Sequence, residues 1–188
     1  MTEIYFASHP DVLINKDKPI TEWGLSEKGI ARMQKLVEQS WVKSIDVVYS
    51  SEETKAVEAA EIVAKAINKK VNKVSDLGEI NRSSTGFLER EVFERAVNYF
   101  FDNPDLSYEG WETATDAQKR IIDTVIDKIV PENLDKKKIL IVSHGGVGAL
   151  LISYLTGRSI SRKEDQPFQG HCFCFSSTGK MIHDWKEF

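Results

Sequence analysis

The sequence predicts an α/β fold, a three-layer α/β/α sandwich around a mainly parallel central sheet. Three observations carry this. Strand-like apolar runs alternate with helical patterns along most of the chain. The run Ile139-Leu140-Ile141-Val142 is continuous and largely β-branched, as in a strand covered on both faces. The chain has 188 residues, 41% of them hydrophobic and 29% charged, which suits a single domain with a substantial core.

Ile4-Tyr5-Phe6-Ala7 is the first strand, followed by a polar loop to about Gly24. Ser26 is placed to N-cap a helix whose Ile30, Met33, Leu36 and Val37 line one face. Ile45 to Tyr49 forms the second strand and ends in Ser50-Ser51. A helix over Thr54 to Ile67 follows, and Val71 to Val74 reads as a third strand. Residues 78–113 break the alternation with a Gly-containing loop, a helix near Glu91–Phe101 and a turn at Asn103-Pro104-Asp105. A long helix over Ala114 to Val130 carries Ile121, Ile122, Val125, Ile126 and Ile129 as its apolar stripe. After Ile139–Val142, a helix runs from Gly146 to Leu155, and Cys172–Phe175 with Met181–Trp185 close the sheet as a hairpin around Thr178-Gly179.

Composition excludes several classes. A formal net charge of -4 argues against a polyanionic partner, and Lys136-Lys137-Lys138 reads as a solvated turn, not a nucleic-acid patch. Cys172 and Cys174 point to the same strand face, which disfavours a bridge and suits a reducing compartment. No apolar stretch is long enough to span a membrane, and polar Ser8 and His9 come too early for a signal sequence, so a cytoplasmic location is expected. A zinc site from His171, Cys172, Cys174 and His183 has suitable ligand types, but Cys-x-Cys on a strand lacks the usual loop spacing. No metal and no cofactor are expected.

Ligands of open α/β sheets bind beyond the carboxyl ends of the strands. Two strands end there alike, in Ala7-Ser8-His9-Pro10 and Val142-Ser143-His144-Gly145. One such histidine would be an ordinary loop residue. A matched pair from opposite ends of the chain points to a shared site.

Together Ile4–Pro10, Ser50–Ala60, Leu77-Gly78-Glu79 and Ser143-His144-Gly145-Gly146 resemble the histidine phosphatase (phosphoglycerate mutase-like) superfamily. The superfamily's usual signatures are Arg-His-Gly after the first strand, Ser-Ser followed by an arginine on a helix, Leu-x-Glu, and Ser-His-Gly near the end. The resemblance spans roughly residues 4 to 155. It implies a metal-independent phosphomonoester hydrolase in which His9 forms a phosphohistidine intermediate, since a neutral imidazole can attack phosphorus directly. His144 would donate to the phosphoryl oxygens, and Gly145 and Gly146 at the following helix start would offer backbone N–H groups. Glu79 would protonate the leaving oxygen and then activate water.

Three positions depart from the pattern. Ser8 stands where the superfamily has arginine, Lys55 replaces the second arginine, and Pro10 replaces glycine and removes an N–H. Arg82, three residues past Glu79, is the nearest cation by sequence that could compensate, or else an exposed loop residue. Residues 80–113 form a lid-like insertion rich in aromatics, of which Phe93, Phe100 and Phe101 read as core. Trp23, in the early loop, is placed to line the opposite wall.

The expected partner is a small phosphorylated substrate or phosphate, with neither nucleic acid nor membrane involved. The short chain, without an obvious long closing tail, favours a phosphatase over a phosphomutase. The altered Ser8 position motivates the alternative, a catalytically impaired domain of the same fold that binds phosphorylated ligands. No motif specifies the substrate or the oligomeric state.

Overall fold

The computed structural model describes all 188 residues. Six strands form one sheet: β1 (Glu3–Ser8), β2 (Val47–Ser50), β3 (Val71–Lys73), β4 (Lys138–Ser143), β5 (His171–Ser176) and β6 (Met181–Glu187). Their order is β3-β2-β4-β1-β5-β6. The first four in this order are mutually parallel, and β5 and β6 add an antiparallel edge. The hairpin turns at Gly179, whose φ of 80° suits a residue without a Cβ.

The helices are α1 (Glu27–Glu38), α2 (Thr54–Ala66), α3 (Arg90–Asp102), α4 (Ala114–Thr124), the short α5 (Val130–Glu132) and α6 (Gly145–Leu155). Period-2 alternation along the strands explains why helices cover both faces. Ile4, Phe6, Ile139, Ile141, Phe173 and Phe175 enter one buried cluster with residues of α3, α4 and α6. Tyr5, Ala7, Leu140, Val142, Cys172 and Cys174 enter a second with residues of α1 and α2. The three layers follow from this split. Both cysteines are buried and free.

Local signals set most boundaries. The Ser26 hydroxyl accepts the Gly29 N–H at 3.1 Å and starts α1 as expected. Ile30, predicted on the apolar face, is 40% exposed, because the buried stripe runs through Gly29, Arg32, Met33 and Leu36. The single long helix predicted over Ala114–Val130 is interrupted. A π-helical turn over Val125–Ile129 joins α4 to α5, which contains Pro131. Proline has no N–H and crowds the carbonyl four residues back, and a widened turn just before it relieves that conflict.

In residues 80–113, Phe100, Phe101 and Trp111 are buried and Phe93 packs against the same cluster, so these aromatics build core. No helix is long and apolar enough to cross a membrane.

Candidate active site

Strand register creates the site. β1 and β4 lie side by side with Ser8 opposite Ser143, and the His9 N–H donates to the Ser143 carbonyl at 3.0 Å. The residues that follow, His9 and His144, therefore leave the sheet together. Their rings are 5.2 Å apart between centroids, edge to face at 69°.

His9 Nδ1 lies 2.9 Å from the Pro10 carbonyl, which can only accept, so the proton sits on Nδ1 and Nε2 keeps its lone pair. Burial, reinforced by the Lys55 charge, holds the imidazole at about 4, neutral near pH 7. His144 is fully buried and held well below the ordinary histidine value, again by burial. Its Nε2 lies 2.7 Å from Ser51 Oγ and 3.3 Å from Glu53 Oε1. An ionised carboxylate is the stronger acceptor, which favours the proton on Nε2; Nδ1 is buried without a partner.

Glu79 sits at the start of α6. The N-cap of that helix, His144, supplies no side-chain cap, which leaves the first N–H groups in need of acceptors. Glu79 Oε2 accepts from Gly146 N and Oε1 from Val147 N, each at 3.1 Å, with Ile80 N at 3.0 Å on Oε1. The expected free N–H of Gly146 is thus taken by Glu79, while that of Gly145 has no acceptor within the protein. A side chain at Gly146 would strike Glu79 and Ile80, its Cβ falling 2.7 Å from each. Burial, with the Glu53 charge adding to it, raises the Glu79 carboxyl despite these N–H bonds.

Lys55, on α2, is buried and does not stand free. Its ammonium pairs with Glu53 and donates to the Ile20 carbonyl at 2.9 Å. Glu53 also accepts the Glu79 N–H at 2.8 Å. The cation placed for phosphate by its sequence position is therefore matched by an anion two residues away.

The Ser8 hydroxyl is engaged with other groups of the protein. Alternation along β1 turns it to the loop before β5, where Oγ accepts the Gly170 and His171 N–H groups at 3.1 Å each. It donates to the Gln166 side-chain oxygen. Ser8, expected at the substrate, thus has its hydroxyl engaged with Gln166 and the start of β5. The Gln166 amide nitrogen lies 2.1 Å from where a Cβ on Gly145 would stand, so Gln166 reaches the helix start.

Arg82 is partly buried. It stacks 4.9 Å over the Phe93 ring, donates to the Gly86 carbonyl at 3.2 Å and feels the Glu79 and Glu53 charges. It is not a solvated loop residue. Trp23 is 7% exposed, with its N–H on the Asn15 carbonyl at 2.7 Å and its ring 6.0 Å from Phe87. Its polar end is thereby used up within its own loop, and only its apolar ring meets residues 80–113. A cavity of about 470 Å³ beside the site is lined by Gly78, Glu79, Trp111, Glu112 and Arg120, among others, and includes neither histidine. His171, Cys172, Cys174 and His183 do not gather as a ligand group.

Sequence reasoning passed over Glu53, Gln166 and Arg120. Arg120 donates to Glu112 through two nitrogens, both at 2.8 Å, and to the carbonyls of Asp76, Gly78 and Glu79. Glu53 was visible as an acid beside Lys55 at a helix start. Gln166 gave no signal, since it lies in a loop far from every motif.

Fold and site define a phosphoglycerate mutase-like α/β protein with paired histidines at the carboxyl edge of the sheet. Residues 4–177 match the histidine phosphatase superfamily (branch 1), and the chain belongs to that superfamily. No curated protein matches it in sequence. Among solved structures it is similar to phosphoserine phosphatase from Entamoeba histolytica, solved with 3-phosphoglyceric acid. That match has 20% identity and a TM-score of 0.81 over 100% of this chain and 98% of the other. YhfR from Bacillus stearothermophilus is similar at 22% identity and TM-score 0.78, over 98% and 95%. A mycobacterial glucosyl-3-phosphoglycerate phosphatase is similar at 15% and 0.76, over 99% and 96%.

Proposed function

We propose that the protein is a phosphomonoester hydrolase that passes the phosphoryl group through His9. The observation that carries this is the free Nε2 lone pair of a buried, neutral His9, set beside His144 by strand register. Nε2 attacks phosphorus and the bond to the leaving oxygen breaks. The imidazole ring becomes cationic, and its Nδ1–H, held by the Pro10 carbonyl, spreads that charge. Glu79, raised by burial, gives its proton to the leaving oxygen and then takes one from the water that cleaves the phosphorus–nitrogen bond. The Gly145 N–H and Arg82, with His144 Nε2–H and Lys55 once they leave Glu53, are the donors for the phosphoryl oxygens. Substrates are small phosphate monoesters, with residues 80–113 and the Trp23 loop forming the rim as a lid.

The test is hydrolysis of an aryl phosphate with an alkaline denaturing quench for phosphohistidine, whose phosphorus–nitrogen bond survives base but not acid. Wild type should turn over and trap label, and His9→Ala should do neither. Equal turnover by both proteins would sink the proposal.

A second reading, a domain that binds phosphorylated ligands without hydrolysing them, is favoured by one observation. The only motif cation, Lys55, is already paired with Glu53. That reading predicts phosphate binding without trapped phosphohistidine.

A further inference from the structure

Three donors from three separate elements converge on the Glu53 carboxylate. They are the Lys55 ammonium on α2, the Glu79 N–H at 2.8 Å, and His144 Nε2 beyond β4 at 3.3 Å. A buried carboxylate so placed is not helix decoration. Glu53 is the N-cap residue of α2, yet its side chain makes no capping bond, and it turns inward to these donors instead. Lys55 and Glu53 side chains are 5% and 11% exposed, so the pair carries a desolvation cost that a surface partner would avoid.

Two of these donors, Lys55 and His144, are the groups a phosphoryl group beside His9 would need. We propose that Glu53 is an internal competitor: its carboxylate occupies the anion-binding place, and a phosphorylated ligand binds only by displacing it. This rests on the reading of the site as a phosphoryl pocket and adds the residue that sets its affinity and selectivity. Burial opposes the charge on Glu53, but His144 and Lys55 outweigh it and hold the group at about 2, so the competitor is ionised at neutral pH.

Selectivity follows from the charges. While Glu53 stays, Lys55 is neutralised, and a weakly charged anion gains little by entering. A phosphate dianion offers more acceptor oxygens than a carboxylate and can replace all three contacts at once. Glu53 has a route out, because it follows the exposed Glu52 just before the N-terminus of α2, where the helix dipole still favours a negative charge.

The experiment compares wild type with Glu53→Gln and Glu53→Ala. It measures inorganic phosphate binding by titration calorimetry and the kcat/KM of an aryl phosphate. Both variants should bind phosphate tighter, by ~10-fold or more, the size expected when one charge-assisted contact stops competing. If both bind it equally or more weakly than wild type, the inference is overturned. A third measurement needs no variant: the Glu53 carboxyl carbon of wild type, followed by NMR, should shift as phosphate saturates the protein. A signal unmoved at saturation overturns the inference, as does a wild type and a Glu53→Gln variant that both fail to bind phosphate. Tighter binding without turnover in either protein would uphold the inference and remove the phosphatase reading. Turnover by wild type with no gain in binding would do the reverse.

Discussion

His9 combines two properties that a nucleophilic imidazole needs: a fixed tautomer and a neutral ring. Both come from position, the first from the Pro10 carbonyl and the second from burial. The same burial has a consequence for stability. A histidine held at about 4 when folded and near 6.5 when unfolded resists protonation only in the native state. Below 6.5 the unfolded chain binds more protons, so stability rises with pH across this window and is lost as pH falls from about 6.5 to 4. The upper bound from His9 is roughly 3 kcal/mol. Urea midpoints of wild type should therefore drop between pH 7 and 5, and less steeply in His9→Ala. A variant as pH-sensitive as wild type would show that His9 is not the group. The motif histidines and Glu79 were legible because spacing brings them out in one chain. The inward turn of Glu53 was not legible, since an acid at a helix start has an ordinary explanation in the helix dipole.

Among the elements, α6 does most to build the site, and its placement depends on what it lacks. Gly148 faces the sheet, where an added Cβ would fall 2.7 Å from the Trp185 ring and 3.1 Å from that of Phe6. Both rings pack against Phe173 around β1, β5 and β6, Phe6 fully buried and Trp185 partly so. Gly148→Ala should thus destabilise the protein by about 1–3 kcal/mol through overpacking, although alanine is the better helix former. Denaturant midpoints at constant m would measure it, and an unchanged or raised midpoint would contradict this packing. The run Gly145-Gly146-Val147-Gly148 showed in the sequence as a helix start. That its first N–H groups would be capped by Glu79, some seventy residues earlier, could not be read there, because capping is normally supplied by neighbours in sequence.

At the scale of the molecule, Arg120 ties α4 to Glu112 and to three carbonyls of the loop that presents Glu79. Removing it leaves those carbonyls without this donor and a largely buried carboxylate with only the Asn81 N–H. Arg120→Ala should cost about 2–4 kcal/mol in stability. Through the displaced Glu79 loop, kcat should fall by ~10-fold or more with KM little changed, as a shift in geometry would produce. A stable variant with full kcat would show that the loop holds itself. The rings of Trp23 and Phe87, with Lys16 over Phe87, join the early loop to residues 80–113 in the same manner, across stretches that no motif connects. By itself the sequence determined the layered α/β fold, the strand ends and the two histidines, because periodicity and motif spacing are local properties. Only the tertiary structure decided which charges meet. It engaged the Ser8 hydroxyl with Gln166 and the start of β5, placed Glu53 against Lys55 and His144, and brought Gln166 to the helix start. The reason is physical: side-chain direction at a strand end and partners across a pocket depend on packing between distant segments, which no local pattern records.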